Sequence, residues 1–456
     1  MPFSRVPIGT LCHALKFSTC THDGQPVVYA HCDAPDTLIF AAAAMTSGQV
    51  TGALNERVNE FAKGFNDSQK DYKIVPVYKG SYPESMAAAI AAFRAGNAPH
   101  ILQVFEVGTA TMMSAKGAIR PVAQVMREAG EKFDPKIYLP AVAGYYTTTK
   151  GEMLSFPFNS STTVFYYNKD VFQKAGLDPN RAPVTWPEVM AAAAKIKVSG
   201  ASQCAYTTGW PSWAHVENFS AWHNVPIGTR ENGMAGLNTV FQINTPLHVR
   251  HWSNLQEWAK KGYFTYGGRT NEAEAKFYSG ECAMLTSSSA AQANINRNAK
   301  FKYGVAFMPY YADVAGAPQN SIIGGASLWT MAGKPKGDYK GVARFFTYLS
   351  DANRQAEWHQ KTGYLPITMA AYELTKQSGF YEKNPGTDIS VRQMNNKPPT
   401  ANSKGLRFGS FVQIRDAFQE EFEAMLAGKQ DAKQALDRSV QRGNELLRRF
   451  EKTAKE

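Results

Sequence analysis

The sequence predicts an α/β protein made of more than one lobe. Its 456 residues exceed what one hydrophobic core usually organises, so two or three lobes are expected. Strand-like and helix-like segments alternate from about residue 48 onward, which is typical of α/β layers with a mostly parallel sheet. A third observation is the stretch 156–188, where a hydroxyl-rich turn and an apolar strand precede two capped helices. Such a hinge suits two lobes that close on a small polar ligand.

The first strand–helix units place two polar residues where ligands bind in α/β folds. Residues 72–78 are predicted to form a strand, with Pro76 favouring an edge position, and residues 81–84 read as a capping box that opens a helix. Residues 100–106 are the next predicted strand. Tyr82 and Glu106 therefore fall at or just after strand ends, where ligands of open sheets are bound.

The second half of the chain offers hydroxyl and glycine segments. An α/β region runs from about Thr163 to Tyr278, and further strands are predicted at 277–289 and 322–329, before a helical C-terminal part. The hydroxyls of 159–161 and 286–289 can donate to an anion, although most such segments are only turns. The glycines at 324 and 325 allow close backbone approach to a ligand, or serve only packing.

Arg415 is the most unusual charged residue of the sequence. It lies between Phe411 and Phe418 on the apolar face of a predicted helix. A guanidinium in that position needs an anion or carbonyl groups, because an unpaired buried charge is costly. A structural salt bridge, or a side chain that reaches the surface past its apolar neighbours, satisfies this need as well as a ligand does. If a ligand fills the role, the planar fork favours phosphate or carboxylate over a sugar ring.

The five cysteines give no metal-binding pattern. None forms a Cys-x-x-Cys pair, and the first three have no histidine at zinc-site spacing. Cys204 and Cys282 are able to form one disulfide in an oxidising compartment or to remain buried thiols. The tryptophans near Cys204, at positions 210, 213 and 222, are expected in the core or on a lobe surface.

Charge and motifs favour binding over catalysis. The net charge is +11, but the basic residues are scattered among acidic ones, so nucleic acid is a weak candidate partner. The sequence has no nucleophile elbow, zinc-protease motif, phosphate-binding loop or dinucleotide fingerprint. Glu106 with a second carboxylate would suit a glycosidase, but no pairing is evident.

Several long segments resemble one family. Residues 72–80, 103–113, 324–329, 358–367 and 379–386 are similar to the glycerol-3-phosphate receptors of Ugp-type ABC transporters, which are family 1 extracellular solute-binding proteins. The resemblance runs from about Gly48 to the C-terminus. It implies a two-lobed, maltose-binding-protein-like α/β fold (type II periplasmic-binding-protein fold) whose ligand cleft lies between the lobes.

The resemblance also implies a domain division and a function. Lobe 1 is expected at 38–157 and 286–337, and lobe 2 at 158–285 and 338–456. The implied function is the capture of sn-glycerol 3-phosphate or a glycerophosphodiester such as glycerophosphocholine for ABC permease subunits. The family further implies a periplasmic monomer without cofactor, metal, catalysis or nucleic acid. A receptor for another sugar or oligosaccharide is the alternative, and a hydrolase of glycerophosphodiesters is a remote one.

The family's ligand contacts match seven positions of this sequence. Arg415 is assigned to the phosphate and Glu106 to the glycerol hydroxyls. Tyrosine side chains wall the cleft, and hydroxyl or backbone N–H groups donate to the phosphate. Ser288 and Gly325 are expected in lobe 1, and Tyr364 and Arg415 in lobe 2. The complete set is Tyr82, Glu106, Ser161, Ser288, Gly325, Tyr364 and Arg415.

The N-terminus departs from the family. Residues 1–37 match neither the family nor a secretory signal, and they are expected to be a disordered extension. The family has a Trp-His pair before the methionine that aligns near Met45, but residues 40–45 here read Phe-Ala-Ala-Ala-Ala-Met. We therefore expect the first strand of lobe 1 to differ from that of the family.

Overall fold

The computed structural model describes residues 15–22, 25–32, 35–42, 53–115 and 117–454. The described strands are β1 (Leu15–His22), β2 (Gln25–Cys32), β3 (Asp36–Ala42), β4 (Tyr72–Tyr78), β5 (Ile101–Phe105), β6 (Ile119–Arg120), β7 (Phe156–Ser161), β8 (Thr163–Asn168), β9 (Cys204–Thr208), β10 (Cys282–Ser288), β11 (Tyr303–Ala306) and β12 (Gly324–Met331).

Helices cover both sheets and form the C-terminal part of the chain. They are α1 (Ala53–Ser68), α2 (Tyr82–Arg94), α3 (Thr109–Ser114), α4 (Val122–Ala129), α5 (Pro140–Tyr145), α6 (Lys169–Lys174), α7 (Trp186–Ser199), α8 (Phe219–Trp222), α9 (Thr229–Asn232), α10 (Pro246–Lys260), α11 (Glu272–Tyr278), α12 (Ala291–Asn298), α13 (Lys336–Leu349), α14 (Ala352–Thr362), α15 (Met369–Gln377), α16 (Phe380–Lys383), α17 (Ile389–Met394), α18 (Phe411–Leu426) and α19 (Ala432–Thr453). Within the described ranges, none of these helices has the length and apolarity needed to cross a bilayer.

Apart from β1 and β2, the described strands form one sheet in each of two lobes. The large lobe corresponds to the predicted lobe 1, and its sheet has the order β4-β3-β5-β12-β6, with β7 also paired to β12. The small lobe corresponds to the predicted lobe 2, and its sheet has the order β11-β8-β10-β9. A disulfide joins Cys204 of β9 to Cys282 of β10, which are paired neighbours in the small sheet. The sequence left this pairing open, and the structure decides it.

The sheets are mixed rather than mostly parallel, which corrects one expectation. β3 runs parallel to β4 and β5, and β10 runs parallel to β9. By contrast, β12 is antiparallel to β5, β6 and β7, and β8 is antiparallel to β10 and β11. The reason is the chain path, because β12 re-enters the large sheet from the small lobe instead of through a helical crossover.

The lobe boundaries also differ from the predicted ones. β7 is still part of the large sheet, so the chain first crosses at Thr162 rather than at residue 158. β10 and β11 belong to the small sheet, and the return to the large lobe comes at β12 rather than at residue 286. Helix α13 packs on α4 and β3, and α14 packs on α1, so this segment lies in the large lobe. Periodicity identifies strands and helices but not the sheet that each one joins.

Local signals, in contrast, are read correctly. The strand predicted at 72–78 is β4, and it lies at the edge of the large sheet as Pro76 indicates. Helix α2 begins after Ser81 with a capping box completed by Glu84, and α7 begins after Thr185 with one completed by Glu188. These caps satisfy free backbone N–H groups, which fixes where each helix begins.

The N-terminal region contains regular structure where disorder was expected. β1 and β2 pair as an antiparallel hairpin within the extension assigned to residues 1–37. β3 begins at Asp36 and lies between β4 and β5, so the first strand of the large lobe is present. The family's Trp-His position, just before Met45, lies outside the described residues.

Two crossings between the lobes are bonded to each other. Thr162 Oγ1 lies 2.7 Å from Ser321 Oγ and 2.9 Å from the carbonyl oxygen of Ile322. The N–H of Ile322 donates to Asn218 Oδ1 at 3.1 Å. All of these groups are buried, so both crossings are held together at the base of the cleft.

Candidate ligand-binding site

One cleft between the two sheets contains every predicted ligand-binding residue. It has a volume of about 390 Å³ and is lined by side chains from both lobes. The predicted residues that line it are Tyr82, Glu106, Ser161, Ser288, Gly325, Tyr364 and Arg415. The structure thus brings together positions up to 333 residues apart in sequence (415 less 82). Their contact with a ligand stays a prediction.

The large-lobe wall is built around Tyr82. Its ring stacks on Phe105 with centroids 5.3 Å apart and planes 2° apart. Asn159 Nδ2 donates to the Tyr82 hydroxyl at 2.9 Å, and Gln103 Nε2 donates to Asn159 Oδ1 at 2.9 Å. Burial raises the pKa of Tyr82 to about 12, and hydrogen bonds with Asn159 and Tyr364 offset part of the rise. This hydroxyl is therefore a neutral donor at physiological pH.

Two predicted residues lie in the opposite lobe to the one expected. Tyr364 follows α14 in the large lobe, where its ring stacks on Trp358 with centroids 5.6 Å apart. Ser288 ends β10 in the small sheet. The Ser288 hydroxyl oxygen accepts the N–H of Ala290 at 3.1 Å, which leaves its hydrogen to donate elsewhere. Both residues still line the cleft, so this correction does not separate the site.

Arg415 is held by two carboxylates. Its Nε and Nη2 donate to Glu217 Oε1 and Oε2, both at 2.7 Å, and Nη2 also donates to Glu106 Oε1 at 2.6 Å. All three residues are buried. Arg415 and Glu217 come from the small lobe, whereas Glu106 follows β5 of the large lobe, so the second ion pair joins the lobes. Arg415 Nη1 has no hydrogen-bond partner among the described residues.

The pKa values of Glu106 and Arg415 are both raised, but for different reasons. Burial raises the pKa of Glu106, an effect that Arg415 reduces and Glu217 strengthens. Burial alone would lower the pKa of Arg415, but the two carboxylates outweigh it and raise that pKa. The guanidinium is therefore always charged, and Glu106 takes up a proton more readily than an exposed glutamate does. The sequence left a salt bridge and a ligand contact as alternatives for Arg415, and its geometry accommodates both.

Gly324 and Gly325 each exclude a side chain, for different structural reasons. Gly325 has φ of 90°, and a Cβ there would lie 2.0 Å from the carbonyl oxygen of Asn159. At Gly324 a Cβ would lie 2.4 Å from the Trp213 ring. One glycine lets β12 pass close to β7 and the other makes room for an indole, so both are required by packing at the cleft.

Sequence reasoning missed four residues around the cleft. Trp210 and Trp213 line it, a role that the sequence did not assign to them, while Trp213 and Trp222 are buried as expected. Glu217 completes the Arg415 triad from a π-helical turn at Trp213–Asn218, a feature that is frequent at functional sites. Glu274 is a buried carboxyl on the cleft wall. A π turn has no sequence signature, so only a search for acidic partners of Arg415 would have suggested Glu217.

Trp210 has a strained backbone. Its φ is 52°, a left-handed conformation that is unusual for a bulky side chain. Its N–H donates to the carbonyl oxygen of Thr270 at 2.8 Å, which ties this position to the start of α11. Strain of this kind costs about 1–3 kcal/mol and is concentrated at functional sites.

The site offers hydrogen bonds and charge rather than metal chemistry. In the described ranges, no cluster of three or more His, Cys, Asp or Glu residues is arranged to hold a metal ion. The available groups are tyrosine and serine hydroxyls, one guanidinium and several carboxyls. Groups of these kinds suit an anion together with hydroxyl groups.

Comparison with known proteins identifies the family. A family model described as bacterial extracellular solute-binding protein matches residues 57–387, more than half of the chain. The chain belongs to this family. The sn-glycerol-3-phosphate-binding periplasmic protein UgpB of Yersinia pseudotuberculosis serotype I (strain IP32953) is 56% identical to this solute-binding protein over 426 residues, covering 92% of the chain and 97% of that relative. The UgpB of Salmonella typhimurium (strain LT2) is 56% identical over 405 residues, covering 89% and 92%.

Solved structures confirm the two-lobed fold. The structure of UgpB from Mycobacterium tuberculosis in complex with glycerophosphocholine has a TM-score of 0.75 and 19% identity, covering 91% of this chain and 98% of that one. The maltose/maltodextrin-binding domain MalE from Bdellovibrio bacteriovorus, bound to maltotriose, has a TM-score of 0.72 and 14% identity, covering 90% and 100%. The predicted maltose-binding-protein-like fold is therefore confirmed.

Proposed function

We propose that this solute-binding protein is the receptor of an ABC importer, which captures sn-glycerol 3-phosphate or glycerophosphodiesters and delivers them to the membrane permease. The observation that carries the proposal is the meeting of all seven family-derived positions in one cleft. The names of relatives that are 56% identical over most of the chain give independent support. The same names support a periplasmic location.

The triad suggests how the cleft holds a phosphate. Arg415 Nη1 is the part of the guanidinium left open, because Nε and Nη2 are engaged by Glu217 and Glu106. A phosphate oxygen bound at Nη1 would receive a charge-assisted hydrogen bond from a guanidinium whose position the two carboxylates fix. The hydroxyls of Ser161 and Ser288 and the backbone of Gly325 are the further donors that we assign to the phosphate.

The remaining groups suit the glycerol part of the ligand. Glu106 has one oxygen on Arg415, and its other oxygen is the proposed acceptor for a glycerol hydroxyl. Tyr82 and Tyr364 would cover the carbon chain and donate from neutral hydroxyls. Micromolar affinity needs only about 8 kcal/mol. A few charge-assisted hydrogen bonds of roughly 1.5–3 kcal/mol each are sufficient.

Lobe closure links capture to delivery. Arg415 and Ser288 belong to the small lobe, whereas Tyr82 and Glu106 belong to the large one, so a ligand bound by all four stabilises the closed arrangement. A permease that recognises the closed shape would receive only loaded receptors. The proposal includes binding without chemical turnover.

Calorimetry with matched arginine variants tests the proposal. We expect glycerol 3-phosphate or glycerophosphocholine to bind with micromolar affinity, and Arg415→Lys to weaken binding at least tenfold because it removes the planar fork. Arg442→Lys is the control, since Arg442 also pairs with two glutamates but lies outside the cleft. Binding of maltose alone would favour the sugar-receptor alternative, and a reaction product from a glycerophosphodiester would favour the hydrolase.

A further inference from the structure

Glu274 is a buried carboxyl in the cleft to which the proposed function gives no role. It is 5% exposed and lines the cleft from α11 of the small lobe. Ser287 Oγ donates to its Oε1 at 2.8 Å. Its Oε2 has no hydrogen-bond partner among the described residues, and no lysine or arginine pairs with it there. A buried carboxyl without a cation is costly unless a ligand group completes its environment.

Other carboxyls at the cleft have their own partners. Glu84 accepts the N–H and hydroxyl of Ser81, and Glu272 accepts the N–H and hydroxyl of Thr270. Glu106 is paired with Arg415. These acidic groups face one guanidinium among the described cleft-lining residues, so negative charge is in excess there.

We propose that Glu274 is a ligand-binding, specificity-determining residue that takes a cationic group of the ligand, so that the cleft prefers zwitterionic glycerophosphodiesters to glycerol 3-phosphate. This inference rests on the proposed function. Trp210, whose N–H is bonded to Thr270 just before α11, contributes an aromatic side chain to the same cleft. A cleft that offers a carboxylate and an aromatic ring suits an ammonium or quaternary ammonium group.

The acidity of Glu274 supports this role. Burial raises the pKa of Glu274 to about 7, partly offset by the Ser287 hydrogen bond and strengthened by Glu272. The other titratable groups close enough to feel its charge are Tyr166 and Tyr278 of the small lobe and Tyr364 of the large one. These tyrosines stay neutral in this range because their pKa values are raised. Affinity for a cation should therefore rise with pH through about 7.

Glycerophosphocholine is the cleanest probe of this inference. Its phosphodiester and quaternary ammonium do not titrate between pH 5.5 and 8.5, whereas a phosphomonoester has a pKa near 6. Calorimetry across this range would compare the wild-type chain with Glu274→Gln. The matched control is Glu257→Gln on α10 of the same lobe, because Glu257 is exposed, pairs with Lys261 and lies outside the cleft.

We expect wild-type affinity for glycerophosphocholine to increase several-fold from pH 6 to pH 8. Glu274→Gln should lose that increase and bind about tenfold more weakly at pH 8, the usual weight of one charged contact. The same variant should bind glycerol 3-phosphate equally or more tightly, because a negative charge has been removed. Glu257→Gln should follow the wild type within twofold.

Two results would contradict the inference in distinguishable ways. If the wild type binds and Glu274→Gln keeps the same affinities and pH profile, Glu274 is a structural residue and the inference fails alone. If a folded wild type binds neither compound at any pH, the proposed function fails and the inference fails with it. Circular dichroism of each variant confirms that it is folded.

Discussion

The cores of the two lobes differ in the kind of interaction that holds them. The small lobe buries four histidines, His215, His223, His248 and His251, together with the disulfide and the Arg415–Glu217 pair. The large-lobe core is dominated by stacked aromatic rings, such as Phe156 on Phe346 at 4.6 Å and Trp358 on Tyr364 at 5.6 Å. The stability of the small lobe should therefore depend on pH and redox state, and that of the large lobe mainly on apolar packing.

The small-lobe histidines form a hydrogen-bonded network. His215 lies between the Tyr206 hydroxyl at 3.0 Å and His251 at 2.9 Å, and His251 is 3.2 Å from the Tyr311 hydroxyl. His248 lies between the hydroxyls of Ser220 and Thr245. Each ring is satisfied in its neutral form, and protonation would place a charge in the core.

The largest expected effect is loss of stability in mild acid. Burial lowers the pKa of His215 and His248 to about 3 and that of His223 to about 4, against an ordinary value of 6.5. Because the unfolded chain binds these protons first, stability should fall as pH drops below 6.5, by about 2 kcal/mol per histidine at pH 5. Urea unfolding at pH 8, 6.5 and 5 measures this loss.

Other buried groups modify the acid effect. Burial raises the pKa of Glu274 to about 7, so Glu274 takes up a proton in the folded state at a higher pH than in the unfolded chain. This uptake stabilises the folded state in acid and offsets roughly the loss of stability caused by one buried histidine. In the large lobe, burial lowers the pKa of His359 to about 4. The variant His359→Asn should therefore lose less stability between pH 6.5 and pH 5, by the amount expected for one histidine. A pH-independent stability between 6.5 and 5 would contradict the comparison of the lobes.

The next largest effect is expected for Arg415→Met. The substitution leaves Glu106 and Glu217 as buried carboxyls without a cation, so it should destabilise the protein by about 3–5 kcal/mol at pH 8. Urea unfolding compares it with Arg442→Met, a half-exposed ion pair worth about 1 kcal/mol or less. If the two variants are equally stable, the buried triad does not hold the lobes as described.

Removing the disulfide should cost slightly less. The bond closes a span of 78 residues, so the double variant Cys204→Ser, Cys282→Ser should lose about 2–5 kcal/mol of stability. Ligand affinity should persist under conditions where the variant is folded, since neither cysteine lines the cleft. Chemical denaturation and calorimetry of the same sample separate the two outcomes, and unchanged stability would show that redox state does not matter.

The smallest effect is expected for Asp338→Asn in the large lobe. His100 lies 3.0 Å from Asp338, but burial lowers the pKa of His100, so the contact at pH 8 is a hydrogen bond to a neutral ring. Its loss should cost about 1 kcal/mol, measured by thermal unfolding. A loss several times larger would mean that the large lobe also depends on buried charge.

Sequence patterns specify local structure and the site better than they specify the lobes. Capping residues such as Ser81 and Thr185 act over one helical turn, so their effect is visible in a short stretch of sequence. The position of Arg415 among phenylalanines already indicates a buried charge. The pairing of β11 with β8, and the lobes of Ser288 and Tyr364, depend on contacts between distant segments. Glu217 and Glu274 were missed for the same reason.

The bonded crossings at Thr162 and Ile322 affect how long a ligand stays. A closed cleft releases its ligand only after the lobes rotate apart, and that rotation must change backbone angles in these few residues. We therefore expect interactions at the crossings to influence the dissociation rate, although Thr162 and Ile322 do not line the cleft. Residence time in this protein is thus set partly at positions that a ligand never touches.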